Sequence, residues 1–93
     1  MLQINRSELA TWIASGKKFR LIDVREEWEH LLYNIGGELI PLGELNAKFQ
    51  IEEIDTPVVF YCKKGIRSQI AIQRLSLHYP DAIMYNLTGG IGQ

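Results

Sequence analysis

The four residues Val58-Val-Phe-Tyr61 are apolar without alternation and pass directly into Cys62-Lys-Lys-Gly-Ile-Arg67. β-Branched and aromatic side chains favour strand, and a strand with no polar face needs cover on both sides. Helices give that cover in a parallel sheet, so this segment by itself points to an α/β architecture. Beyond the loop, Ser68 to Tyr79 carries Ile70, Ala71 and Leu75 as the expected inner face of a helix, which ends at Pro80-Asp81. The sequence thus predicts strand, glycine-containing loop and helix in immediate succession.

The rest of the chain repeats this alternation. Leu2-Gln-Ile4 reads as a short strand, and Asn5 with Glu8 as a capping box opening a helix. Leu9, Trp12 and Ile13 form its apolar face, with Trp12 read as core packing, and Gly16 stops it. Phe19 to Val24 reads as a strand, Glu26 to Leu32 as a short helix with an acidic first turn, and Asn34 to Gly37 as a turn. Leu39-Ile40 is a short strand stopped by Pro41, and Leu42 to Ile54 is partly helical, anchored by Leu45, Phe49 and Ile54. Asp55-Thr-Pro57 is a break, Ile83-Met-Tyr85 a last strand and Thr88-Gly-Gly90 a turn. The expected fold is a three-layer α/β/α sandwich around a mainly parallel sheet of about five strands. Residues 1–93 fit one domain, without repeats or low-complexity segments.

Charge and composition narrow the function. The net charge is -1, so no global field draws the chain to nucleic acid or to a membrane, and any attraction for anions is local. Apolar residues make up 46 % of the chain and charged residues 23 %, the balance of a soluble globular domain. Met1 to Glu8 has no basic stretch leading into an apolar run, and Val58 to Cys62 is far too short to span a bilayer. A cytoplasmic location is the expectation.

The chain has one cysteine, which excludes an internal disulfide and a C-x-x-C pair. With only His30 and His78 in support it does not make a structural zinc site, and no metal or organic cofactor is indicated. A lone cysteine is by default a buried small hydrophobe. Cys62, however, sits where a buried strand gives way to a helix, the edge of an open α/β sheet where ligands bind. Gly65 permits a tight turn, and Lys63, Lys64 and Arg67 add positive charge beside the N–H groups of a helix N-terminus. Such surroundings lower a thiol pKa from about 8.5 to between about 3.5 and 7.5, so Cys62 is expected to be substantially ionised at neutral pH. A thiolate there can attack the outer sulfur of an anionic donor, and the same N–H groups can hold the resulting persulfide.

Four ordered segments make the reading specific. Cys62-Lys-Lys-Gly-Ile-Arg-Ser68 after its strand resembles the active-site loop of the rhodanese family. Leu21-Ile-Asp-Val-Arg-Glu26, Ile40-Pro-Leu-Gly-Glu-Leu45 and Asn86-Leu-Thr-Gly-Gly-Ile91 resemble that family's first, middle and closing motifs. The resemblance covers nearly the whole chain. It implies a sulfurtransferase with Cys62 as nucleophile and acceptor of a sulfane sulfur. The backbone of Lys63, Lys64, Gly65, Ile66 and Arg67 would form the anion cradle. Asp23 and Arg25 would lie beside the loop, Arg25 as an anion contact and Asp23 ordering the loop, with an ordinary strand-end ion pair as the alternative for both. Ser68 is read as an N-terminal helix residue.

The chain departs from the family in two places. Tyr33-Asn-Ile-Gly-Gly-Glu38 stands where many relatives have Gly-His-Ile-Pro-Gly-Ala, so Asn34 replaces a histidine whose role is read as structural. Relatives usually continue past the position of Ile91-Gly-Gln93 into a terminal helix, so part of the sheet face is expected to be bare.

Three functions compete with a thiosulfate sulfurtransferase. The related phosphatase class separates its cysteine and arginine by five residues, whereas only Lys63 to Ile66 separate Cys62 from Arg67, a loop better matched to one sulfur atom than to phosphate. The Asn34 to Leu42 wording resembles rhodanese domains appended to adenylyltransferases of molybdopterin and thiamin biosynthesis. There the persulfide would serve a ubiquitin-like sulfur carrier. A silent binding module is the third, disfavoured by the intact loop. With no second cysteine, the acceptor is external: a small thiol, cyanide or a partner protein. The cationic loop favours an anionic donor such as thiosulfate, or a protein persulfide.

Overall fold

The computed structural model describes residues 1–92; Gln93, the last residue of the predicted domain, lies outside the described residues. Among the described residues five strands form one sheet in the order β1-β5-β4-β2-β3, with β1 at Leu2–Ile4, β2 at Arg20–Asp23, β3 at Glu38–Leu39, β4 at Val58–Tyr61 and β5 at Met84–Leu87. Every pairing is parallel. The connecting helices are α1 at Arg6–Ser15, α2 at Glu27–Leu32, α3 at Leu45–Lys48 and α4 at Ile66–Ser76, with a 3-10 turn at Leu42–Glu44 before α3.

Strand β4 lies at the centre, and its four side chains are each at most 1 % exposed. Alternation along it feeds two cores. Val58, Phe60 and Cys62 pack with Leu45, Phe49, Ala71, Ile72 and Leu75 on one side of the sheet, under α3 and α4. Val59 and Tyr61 pack with Ile4, Leu9, Leu87 and Ile91 on the other, under α1. Each large side chain fully buried this way contributes about 1.5–3 kcal/mol, so the centre of the sheet is its most firmly held part.

The register fixes the site. Asp23 pairs with Tyr61, and Phe60 pairs with Asn86, so the carboxyl ends of β2, β4 and β5 are level. Segments leaving those ends therefore meet over one edge of the sheet, as ligand-binding loops do in open α/β folds.

Several local expectations change. Helix α4 begins at Ile66 because Gly65, at φ 88°, ends the loop as its N-cap; Ile66 and Arg67 lie in the first turn. Its inner face is Ser68, Ala71, Ile72 and Leu75, whereas Ile70 is only half-buried. Ile13 and Ile54 are exposed at 58 % and 45 %, so neither anchors the core. On α1 the contact is made by Leu9 and by Trp12, which packs edge-on against Phe19 and Tyr85. The expected bare sheet face is covered where it matters: Val59, Tyr61 and Leu87 have no exposed surface, and Ile35 and Ile91 help α1 to cover them.

Candidate active site

Cys62 follows the last residue of β4 and is 1 % exposed. The loop curls around its sulfur. The N–H groups of Gly65 and Ser68 donate to Sγ at 3.1 and 3.4 Å, and the Ser68 hydroxyl lies 3.4 Å away. Burial pushes the Cys62 thiol pKa up, but its hydrogen bond with the Ser68 hydroxyl and those from the N–H groups of Ser68, Gly65 and Lys64 outweigh it, and the net direction is downward. The lysine charges are not the main cause. Lys63 and Lys64 are exposed at the rim. Ile66 is 62 % exposed and also faces solvent.

The loop needs support to aim its N–H groups inward. The turn after β5 provides it: Ile91 N–H donates to the Cys62 carbonyl at 3.0 Å and Gly92 N–H to the Lys63 carbonyl at 2.8 Å. With those carbonyls held outward, the following N–H groups converge on sulfur. Gly90 is indispensable here, because at φ 65° a Cβ would overlap the carbonyl oxygens of Cys62 and Lys63.

Arg67 does not point into the loop. Its guanidinium makes a two-pronged ion pair with Glu29 of α2, at 2.6 and 2.9 Å. The Arg67 hydrogen bonds outweigh the burial of Glu29 and hold its pKa at about 2. The same carboxylate accepts from the Glu26 N–H at 3.0 Å, which caps α2. Glu29 thus fastens the start of α4 to α2, and sequence reading had not singled it out. Its only local signal is its position three residues after Glu26; the partner is 38 residues away.

Asp23 and Arg25 lie beside the loop but engage each other. Both are fully buried, with Arg25 Nη2 2.8 Å from Asp23 Oδ2 and Nε 3.0 Å from Oδ1. Arg25 also donates to the Tyr33 carbonyl at 2.6 Å, and His30 Nδ1 lies 2.8 Å from Asp23 Oδ2. Burial raises the Asp23 pKa, but its bonds to Arg25 and His30 bring the net direction below the usual carboxylate range. These bonds hold α2 and the turn after it against the sheet, and so position Glu29. Arg25 thereby ties β2 to α2 and the turn after it, while also lining the cleft beside the loop. Asn34 is local scaffolding: its side chain donates to the His30 carbonyl and accepts from the Gly36 N–H.

A cleft of about 220 Å³ opens beside the loop, lined by Trp28, Glu29, Leu32, Tyr33, Lys63 and Gly92, with Arg25 also contributing. Its outer wall is apolar and exposed, Trp28 at 65 % and Leu32 at 78 %.

The Rhodanese-like domain model matches residues 5–93. The chain belongs to the rhodanese-like family. It is similar to the probable adenylyltransferase/sulfurtransferase MoeZ of Mycobacterium tuberculosis, 37 % identical over 93 residues, which are 95 % of this chain and 23 % of that protein. It is also similar to the adenylyltransferase and sulfurtransferase MOCS3 of Drosophila sechellia, 32 % identical over 83 residues, 81 % of this chain and 18 % of that protein. The chain therefore spans about a quarter or less of the length of these curated relatives. Among solved structures, the human single-domain sulfurtransferase TSTD1 is 30 % identical with a TM-score of 0.74, over 95 % of this chain and 91 % of that one.

Proposed function

We propose that this rhodanese-like domain is a sulfurtransferase that carries a sulfane sulfur on Cys62. The observation that carries the reading is the convergence of the Gly65 and Ser68 N–H groups on Sγ, beside a loop mouth flanked by Lys63 and Lys64. With thiosulfate, the Cys62 thiolate attacks the outer sulfur. A Cys62 S–S bond forms, the sulfur–sulfur bond of the donor breaks, and sulfite leaves with its electron pair. The backbone N–H groups of the Lys63–Arg67 loop then hold the terminal persulfide anion. An acceptor such as cyanide or a thiol attacks that outer sulfur and restores the thiolate. The test is thiocyanate formation from thiosulfate and cyanide. The intact protein turns over, and Cys62→Ser gives only the uncatalysed rate; equal rates for both would refute the assignment.

A second reading makes a protein the partner. Trp28, Leu32 and Tyr33, 44 % to 78 % exposed, give the cleft that ends at Lys63 an apolar wall, and Leu31 on the same helix is 74 % exposed. Contiguous apolar surface beside a reactive group marks a protein contact. Relatives that join this domain to an adenylyltransferase fit a relay to a ubiquitin-like sulfur carrier, whose activated C-terminal carboxyl would take the sulfur. The terminal persulfide sulfur attacks the acyl adenylate and AMP leaves; an external thiol then cleaves the acyl disulfide, releasing the thiocarboxylate and leaving a mixed disulfide on Cys62. Mass spectrometry of a matched, pre-adenylated carrier incubated with persulfide-loaded protein and a small thiol tests this. A thiocarboxylate on the carrier supports the relay; an unchanged carrier beside a still-loaded donor contradicts it.

A further inference from the structure

One buried polar side chain stands behind Ser68, on the far side from the sulfur. Asn86, on β5, is 1 % exposed. Its Oδ1 accepts from the Ser68 hydroxyl at 2.5 Å, and its Nδ2 donates to Gln3 Oε1 on β1 at 2.9 Å. Gln3 Oε1 also accepts from the Thr88 hydroxyl at 3.0 Å. The far end of the chain of bonds is Cys62, whose Sγ lies 3.4 Å from Ser68 Oγ.

A serine hydroxyl has one proton to donate. While Ser68 gives it to Asn86, the only hydrogen bond open between Ser68 and Cys62 is donation from the thiol S–H to Ser68 Oγ. When Cys62 loses its proton to solvent, that arrangement leaves a lone pair of oxygen facing a sulfur anion. To serve the thiolate, the Ser68 hydroxyl must turn away from Asn86 and leave its buried carbonyl oxygen unpaired, which is unfavourable.

We propose that Asn86 is a positioning residue that competes with the Cys62 sulfur for the single proton of Ser68 and thereby limits how readily Cys62 ionises. Thiol reactivity depends on both the thiolate fraction and its basicity, and both are set by this competition. The charged groups around the sulfur do not vary with Asn86: Lys63 and Lys64 are on the loop, Arg67 on α4 is paired with Glu29 on α2, and Asp23 at the end of β2 is paired with Arg25. The strand that contributes Asn86 brings no charge of its own to this point.

The proposal deepens the reading of Cys62 as the reacting sulfur. It is tested without a sulfur donor, so the two can fail separately. The rate of iodoacetamide alkylation of the full chain is followed against pH to give the Cys62 pKa. Asn86→Leu, close in shape but without an acceptor, frees the hydroxyl for the thiolate and lowers the pKa by about one unit. Asn86→Ala removes the same carbonyl without bulk and carries the test if the leucine variant does not fold. In a Ser68→Ala background the Asn86 substitution has no hydroxyl to release, and its shift vanishes. An unchanged or raised pKa in the Asn86 variants overturns the proposal, as does an equal downward shift in the Ser68→Ala background.

Discussion

Replacing Glu29 by Gln keeps the shape of the side chain and removes the charge that Arg67 grips. The folded chain holds the Glu29 pKa at about 2 against an ordinary 4.5, with Glu29 only 9 % exposed in its side chain. A depression of that size corresponds to about 3 kcal/mol of stability at neutral pH, trimmed toward about 2 because Arg67 is in part screened by water. The contribution is fully present above the unfolded pKa of 4.5 and is lost as pH falls through about 2. At pH 3 the unfolded carboxyl is mostly protonated while the folded one stays ionised, which leaves about 1 kcal/mol. Urea unfolding of intact protein and Glu29→Gln, followed by the fluorescence of half-buried Trp12, measures this directly. The gap between the two proteins is expected to be about 2–3 kcal/mol at pH 7 and to shrink by roughly half or more at pH 3. A gap that is the same at both pH values would refute the ion-pair argument and leave only a packing effect.

Two further perturbations address the loop. Gly90→Ala puts a Cβ against the Cys62 and Lys63 carbonyls at a left-handed φ; it is expected to lower stability by about 1–3 kcal/mol and to raise the Cys62 pKa, both read from urea titration and alkylation rate against pH. Reversing Lys63 and Lys64 to Glu is expected to slow loading by thiosulfate on the order of tenfold at low salt, with the difference closing as salt rises, in stopped-flow or quenched mass measurements.

The strands and the cysteine loop were legible because their signals are local. Val58 to Tyr61 shows its burial by lacking any polar position, and Gly65 announces the turn that a helix N-terminus needs. The ends of elements were less legible: Ile13 and Ile54 are apolar at plausible positions, yet nothing in their neighbourhood says that the sheet lies elsewhere. The electrostatics were least legible. Arg67 reads from sequence as a loop cation, but its partner Glu29 is 38 residues distant and meets it only because β2 and β4 end level. Asn86 is equally silent, since its hydrogen bonds to Ser68 and Gln3 span 18 and 83 residues. Arg25 was expected near the loop and is there, but the carboxylate two residues before it and the carbonyls of α2 and the turn after it engage its guanidinium first. The thiol's surroundings likewise depend on main-chain direction, set by the Ile91 and Gly92 contacts, more than on the nearby lysines.

Whether Cys62 accepts and holds a sulfane sulfur is read from the intact mass after incubation with thiosulfate and removal of excess donor. The sulfur-carrier role of Cys62 requires a gain of one sulfur atom on the reduced, folded protein, reversed by cyanide and absent from Cys62→Ser. A gain that persists in Cys62→Ser, or no gain with either thiosulfate or a protein persulfide as donor, would contradict it.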